Sequence, residues 1–266
     1  MYSRGVSTTL RHALTSAAGA AVPFVTVAIL WQAFAMFGPF PPRLFPGVDQ
    51  IVATFVRLLC NGILPEHALA TLARLAIAFA LGAIVGVGVG MLMGRSRWAE
   101  RLLLPIVSVG NPIPGLAYAP LFVIWFGLGN LPAILLVAFA AAFPIAVNTW
   151  SGVRAVKEIW IRAAQSMGAQ ERQIFRSVVL PGALPYVLTG LRLGLARAWR
   201  VLVAVEMLTA VGFGLGWLIF GAREFLNTDV MLAGLAMIGI VGLALEKLVF
   251  ERLERYTVVR WGMLTR

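Results

Sequence analysis

The residue types that perform covalent or metal chemistry are scarce in this chain, and their spacing excludes a shared site. His12 and His67 stand far apart, and Cys60 is the lone cysteine. A zinc centre needs Cys and His clustered at short spacings, and a disulfide framework needs paired cysteines. Both are excluded, so no metal ligands and no catalytic residues are assigned. A phosphate-cradling loop needs Gly-Lys-Ser/Thr after a glycine-rich turn. Lys157 and Lys247 follow Val156 and Glu246, so the chain has no loop of that kind. If ATP drives this protein, another chain hydrolyses it. Glu158, Glu171, Glu246, Glu251 and Glu254 alternate with basic residues, as on a solvated face. Neighbours such as Glu251 and Arg255 suit a helix surface.

The chemistry that remains is charge set in apolar sequence. Arg192, Arg197, Arg200 and Glu206 lie in or near one long apolar stretch. A charge at the centre of a bilayer costs about 2.5–3.5 kcal/mol on insertion scales and usually faces protein or water. Arg192 can reach the edge of the membrane along its own stem. Arg200 and Glu206 are separated by about 9 Å along a helix and point about 120° apart, so each needs a partner elsewhere. An ion pair at a subunit interface and an anion-attracting position on a pathway both fit.

Backbone signals are stronger. Gly82, Gly86, Gly90 and Gly94 recur every fourth residue and form a flat face for close helix packing. Pro105, Pro112, Pro114 and Pro120 interrupt the next apolar stretch. Asn111-Pro-Ile-Pro-Gly115 cannot be a regular helix interior, because proline lacks a donor and clashes with the preceding turn. Irregular backbone at membrane depth must be buried in protein or line a cavity. Asn111, Pro112 and Pro114, with Arg200 and Glu206, are therefore candidate pathway or interface positions.

These residues need membrane-spanning elements to hold them. The chain has 266 residues, 60% hydrophobic and 12% charged, and its mean hydropathy of +0.89 excludes a disordered chain. Soluble domains carry about 25% charged residues, so an ordinary soluble enzyme is excluded too. No charge falls between Arg11 and Arg43, with the apolar part at 20–37, or between Leu102 and Val153. The second run is too long for one helix and is punctuated at Phe126-Gly-Leu-Gly-Asn-Leu-Pro132. Six spans are expected, at about 20–37, 69–93, 102–125, 131–150, 186–211 and 229–246. The first reads as a retained helix, because no clean small-x-small cleavage site follows it.

Net charge is +11, and its placement sets the orientation. With the N-terminus inside, the inner pieces hold Arg4, Arg11, Arg95, Arg97, Arg101, Arg154, Lys157, Arg162, Arg172, Arg176, Lys247, Arg252, Arg255, Arg260 and Arg266. The outer pieces hold Arg43, Arg57 and Arg223. Basic residues resist translocation, so both termini are expected in the cytoplasm. The expected organisation is all-α and polytopic. Residues 1–67 form a tail, the first span and an outer loop in which Cys60 is a small core residue. Residues 68–250 form the main transmembrane domain, and 251–266 a cytoplasmic tail.

The inner segment 151–185 is long for so tightly looped a chain. Ile159, Trp160, Ala163, Ala164, Met167, Ile174, Phe175, Val178 and Val179 have helical spacing. They predict two short amphipathic helices with a break near Gly168 and a stop at Pro181. Such a pair either lies on the membrane surface or docks into a groove on a soluble partner.

Arg162-Ala-Ala-Gln-Ser-Met-Gly168, nine further residues, then Val178-Val-Leu-Pro181 resembles the "EAA" loop of ABC importer permeases. Ala163, Ala164, Gly168, Leu180 and Pro181 match at the family spacing, Val178 replaces Ile, and Arg162 stands where the pattern has Glu. Pro120 to Gly129, Phe143 to Thr149, Leu180 to Pro185, Gly190-Leu-Arg192, Ala198-Trp199, Glu206-Met207 and Gly212-Phe-Gly-Leu-Gly216 resemble the nitrate/sulfonate/taurine branch. The likeness covers roughly residues 68–262.

The resemblance implies a bacterial inner-membrane importer subunit. Two permease copies would sit on two ATPase subunits, with a periplasmic or tethered solute-binding protein and no nucleic acid. It implies that Arg162, Ala163, Ala164, Met167, Gly168, Leu180 and Pro181 belong to the ATPase-coupling loop. It further implies that ATP and Mg bind the partner ATPase and that no cofactor binds this chain. The solute implied is a small anion such as a sulfonate, taurine or nitrate. An ion-coupled carrier or channel is the alternative, although no repeat relates the two halves and the long inner loop would then lack a purpose. An intramembrane enzyme lacks its His/Cys/Asp constellation.

Overall fold

The computed structural model describes residues 22–209 and 211–250. Arg4, Arg11, His12, Glu251, Arg252, Glu254, Arg255, Arg260 and Arg266 lie outside the described residues. Among those described, every regular element is helical. Helix α1 is Val22–Phe37, α2 is Val48–Cys60 and α3 is Ile63–Arg95. Helix α4 (Arg97–Gly110) and α5 (Ala119–Phe126) flank a 3-10 turn at Gly115–Tyr118. Helix α6 is Asn130–Ala155 and α7 is Glu158–Ser166. Helix α8 (Glu171–Ile174) passes through a π-turn at Phe175–Val179 into α9, Leu180–Glu206. Helix α10 is Leu215–Glu224 and α11 is Thr228–Leu245.

Among the described residues, four helical runs are long and apolar enough to cross a membrane: α3, α6, Glu171–Glu206 and Thr228–Leu248. Helices α4 and α5 make a fifth when the bent pair is counted as one span. Helix α1 is apolar but shorter within the described residues. The apolar stretch read as 102–125 is thus a broken element, turning by 97° where the prolines cluster. Asn111 ends α4, and the chain turns before Gly115.

Three expectations are corrected. Pro181 does not stop a helix, because the π-turn precedes it and Pro181 occupies the first turn of α9. In that turn a missing N–H costs little, and the widened turn relieves the ring's clash with the preceding carbonyl. The fifth apolar stretch does not run to 211; α9 ends at Glu206, and the chain turns back into α10. Cys60 is exposed at the end of α2, not in the core, because the supposed loop before residue 67 is itself a helix with Thr54 and Leu58 as its buried side.

Helix α6 is the centre of the bundle, with α3 on one side and α9 on the other. Leu75 and Ala78 of α3, Leu136, Val137, Ala141 and Ile145 of α6, and Leu195, Ala198 and Leu202 of α9 form the main buried cluster. Small residues allow this approach. A Cβ at Gly86 of α3 would stand 2.7 Å from the Ile145 Cβ and 2.8 Å from the Ala142 carbonyl oxygen. From the opposite side, a Cβ at Gly194 of α9 would stand 2.6 Å from Ile145 Cδ1. Gly82, Gly90 and Gly94 meet Ala138, Thr149 and Val153 of α6 in the same way. Dispersion contacts at this distance replace the hydrophobic drive that lipid cannot supply.

Candidate functional site

Helix α7 lies outside the apolar spans, between the C-terminal end of α6 and the start of the α8–α9 run. Ala164 pins it. This side chain is buried in a cluster with Val153 and Val156 of α6, Ile174, and Val179 and Ala183 at the start of α9. Ile161, Ala169 and Phe175 pack against the same cluster. The helix stops in a Schellman motif. The Gly168 N–H donates to the Gln165 carbonyl at 2.9 Å, and the Ala169 N–H donates to the Ala164 carbonyl at 3.1 Å. Gly168 supplies the left-handed residue this motif needs, at φ +79°. Helix α8 then begins with a reciprocal capping box between Gln170 and Gln173.

The apolar stripe read from the sequence divides in space. Ala164 and Ile161 face the bundle, whereas Ala163 is exposed. Met167 is 81% exposed, Ile159 68% and Trp160 52%. Large apolar side chains exposed at both ends of α7, on a segment outside the spans, make a surface suited to a groove on another protein. Leu180 is exposed and Pro181 half-buried, one turn into α9. Arg162 bonds back along its own helix, giving Glu158 Oε1 two hydrogen bonds of 3.2 and 2.7 Å from Nε and Nη2. Both side chains are exposed, so the pair contributes about 0.3–0.5 kcal/mol.

The same end of the bundle carries further ties. Arg95 at the end of α3 lies over the Phe175 ring, 5.4 Å from its centroid, and 3.4 Å from Glu171. Glu100 of α4 accepts from the Trp150 indole at 3.2 Å and pairs with Arg154 at 3.5 Å. The ends of α3, α4 and α6 are thereby held in one frame with α7 and α8.

At the opposite end, Glu206 is fully buried and its partners come from the same chain. Arg74 of α3 donates to Oε1 at 2.7 Å. The Thr71 hydroxyl and the Gly216 N–H donate to Oε2, each at 3.0 Å. Arg74 also donates to the Asn130 side chain at 2.7 Å, where α6 begins. Thr71 accepts from the Leu215 N–H at 2.9 Å, and His67 Nδ1 accepts from the Gly214 N–H at 3.0 Å. One carboxylate therefore ties α3 and α9 to the first turn of α10, where its charge also suits the helix dipole. Arg74, Thr71, His67 and Asn130 were not singled out from the sequence as partners. The available signal was one lone arginine near the start of an uncharged span.

Midway along the bundle, Arg197 of α9 fills the break between α4 and α5. Its Nη1 donates to Asn111 Oδ1 at 3.0 Å and its Nη2 to the Asn111 carbonyl at 2.6 Å. The turn frees that carbonyl and the guanidinium satisfies it. Pro112 and Pro114 are exposed beside it. Arg200 is exposed on α9, does not reach Glu206, and donates its Nε to the Ala196 carbonyl at 3.0 Å.

The chain is similar to a group of known proteins. The family model described as a binding-protein-dependent transport system inner membrane component matches residues 82–256. The taurine transport system permease protein TauC of Escherichia coli strain K12 is 40% identical over 229 residues, 83% of this chain and 83% of that protein. The putative aliphatic sulfonates transport permease protein SsuC of Bacillus subtilis strain 168 is 35% identical over 243 residues, 91% of this chain and 87% of that one. An inward-facing structure of the MetNI methionine ABC transporter matches with a TM-score of 0.61 at 25% identity, over 70% of this chain and 92% of the other.

Proposed function

This chain belongs to the family of binding-protein-dependent transport system inner membrane components, and from that premise we propose how it couples to ATP and what it carries. It is the multi-pass inner-membrane transport subunit of an ABC importer, not an enzyme, and its ATPase is a separate component. Helix α7 and the Gly168 turn are the element that enters a cleft on that ATPase. The observation that carries this reading is that Ile159 and Trp160, at the start of α7, and Met167, at its end, are all exposed on a helix anchored by Ala164. A packed frame beneath an exposed apolar helix can transmit a push from outside to the spans above it.

In this reading the chain crosses the membrane six times, with α1 as the first span and both termini in the cytoplasm. Residues 68–250 are the transporting domain, 1–67 the entry segment and 251–266 a cytoplasmic tail. Two copies form the pore, each seated on one ATPase subunit, and a solute-binding protein delivers cargo from the other side. ATP and Mg sit on the ATPase, and this chain binds no cofactor. The broken span around Asn111, Pro112 and Pro114 faces the pathway across from α9. Glu206 acts as a brace inside each copy. The relatives named for taurine and aliphatic sulfonates support a small sulfonate as cargo.

The test is uptake of radiolabelled sulfonate into proteoliposomes holding this chain, its ATPase and its binding protein. Uptake is expected to need ATP and all three proteins. Sulfonate uptake by this chain alone, driven by an ion gradient, contradicts the reading.

A further inference from the structure

We propose that the cleft between α9 and α11 is a stopping place for a short organic oxyanion on its way through the membrane, with Arg200 as the charged contact. The proposal rests on the anion-importer reading above and specifies a site within it. The cleft encloses 420 Å³ and is walled by Leu193, Ala196, Trp199 and Leu245, with Arg192, Arg200 and Glu246 as its charged groups. Pockets for small organic molecules are of this size, about 300–1,000 Å³.

The charges in the cleft are not equivalent. Arg192 and Glu246 form a pair at 2.6 Å. Arg200 has only its Nε engaged, on a neutral carbonyl of its own helix, and its two terminal nitrogens meet no acceptor among the described residues. Arg197, one turn earlier, is bonded to Asn111, which is also neutral. Two arginines thus stand three residues apart, about 4.5 Å along the axis of a membrane-crossing helix, and neither guanidinium is bonded to a carboxylate among the described residues. The sole described carboxylate within α9 is Glu206, and it is fully buried on Arg74.

A charge in a membrane span faces protein or water. A guanidinium fork with its terminal nitrogens open matches two oxygens of a sulfonate or similar oxyanion. The walls narrow the class further. Trp199, Leu193 and Leu245 offer an apolar surface that nitrate or sulfate leaves unused and that a short alkyl tail covers. With Arg192 and Glu246 paired, Arg200 leaves the cleft one net positive charge, so a singly charged organic anion fits best.

The test places a cysteine in the wall, Leu193→Cys, in a Cys60→Ser background of the reconstituted importer. Labelling rates are compared for 2-sulfonatoethyl methanethiosulfonate and its trimethylammonium counterpart, each corrected for reaction with free thiol. The anionic reagent is expected to react on the order of 10-fold faster, since a charged cleft concentrates counter-ions. Arg200→Gln should erase that preference and Arg200→Lys should keep most of it. Butanesulfonate should protect the cysteine, whereas sodium nitrate at equal ionic strength should not.

Equal rates with both reagents overturn the proposal, as does a preference that survives Arg200→Gln. Protection that follows the vesicles' content of anionic lipid, and not added sulfonate, assigns the cleft to a lipid phosphate and also overturns it. In parallel, butanesulfonate uptake by the full importer should fall at least on the order of 10-fold in Arg200→Gln and recover partly in Arg200→Lys. Should the wild-type importer take up no sulfonate, the cargo reading fails, while the labelling ratio still decides whether the cleft holds an anion.

Discussion

Replacing Glu206 by Gln isolates the charge of a fully buried carboxylate while keeping its shape. The carboxylate accepts three hydrogen bonds, from Arg74 at 2.7 Å and from Thr71 and Gly216 at 3.0 Å. An amide has one acceptor oxygen. If that oxygen faces Thr71 and Gly216, its NH2 points at the Arg74 guanidinium; if it faces Arg74, the Gly216 N–H loses its acceptor. Each orphaned buried donor costs about 1–3 kcal/mol. In either orientation Arg74, with its side chain 9% exposed, is left uncompensated. Breaking a buried pair by removing one partner costs about 3–5 kcal/mol in total.

The assay is reversible SDS-induced unfolding of the purified protein in mixed micelles, followed by circular dichroism. Glu206→Gln and Arg74→Met should each destabilise strongly. The double variant should be more stable than the sum of the two predicts, by about 2 kcal/mol, because residues sharing one network are coupled. A Glu206→Gln protein within about 1 kcal/mol of wild type, or single effects that simply add, would refute the bracing role.

Three further outcomes follow from the packing and the turn. Gly86→Val drives a side chain into Ile145 and the α6 backbone and should cost about 1–3 kcal/mol or more in the same assay, while Gly88→Ala, which meets nothing within 4 Å, should not lower stability. Thr149 buries a hydroxyl with no partner among the described residues, so Thr149→Val should unfold at the same or a higher SDS fraction. At Gly168 a Cβ meets nothing within 4 Å, but φ is +79°, so Gly168→Val strains the turn by about 1–2 kcal/mol. It should insert normally yet lose sulfonate-stimulated ATP hydrolysis and uptake, with Gly168→Asn retaining more of both because Asn tolerates this conformation; normal stimulation in the valine variant sinks the coupling role.

What the sequence disclosed is what local chemistry determines. The Asn111 to Gly115 break is visible because prolines cannot continue a helix, and the four-residue glycine stripe because its period is helical. The turn after α7 is visible because Gly168 interrupts apolar residues of helical spacing, whereas the match of Ala163, Ala164, Gly168 and Pro181 is what the family resemblance adds. Hidden were the relations between distant residues. Arg74 is 132 positions from Glu206 and Asn111 is 86 from Arg197, so no local pattern links them. Pro181 misleads for a related reason: its usual effect depends on the turn before it, and only the structure shows a π-turn there. The outward rotation of Trp160 and Met167 was also hidden, since periodicity marks a face without saying what covers it.

The central claim is that the tip of α7 is where a separate ATPase engages this chain. Met167, 81% exposed at that tip, offers the most direct test. Met167→Cys in a Cys60→Ser background, labelled with benzophenone maleimide and irradiated so that the ketone inserts into a neighbouring C–H bond, should cross-link to a P-loop ATPase co-purified from native membranes, and its yield should change when ATP is added. A chain that purifies intact and folded but cross-links to no ATPase from Met167, with uptake still active, would contradict the account.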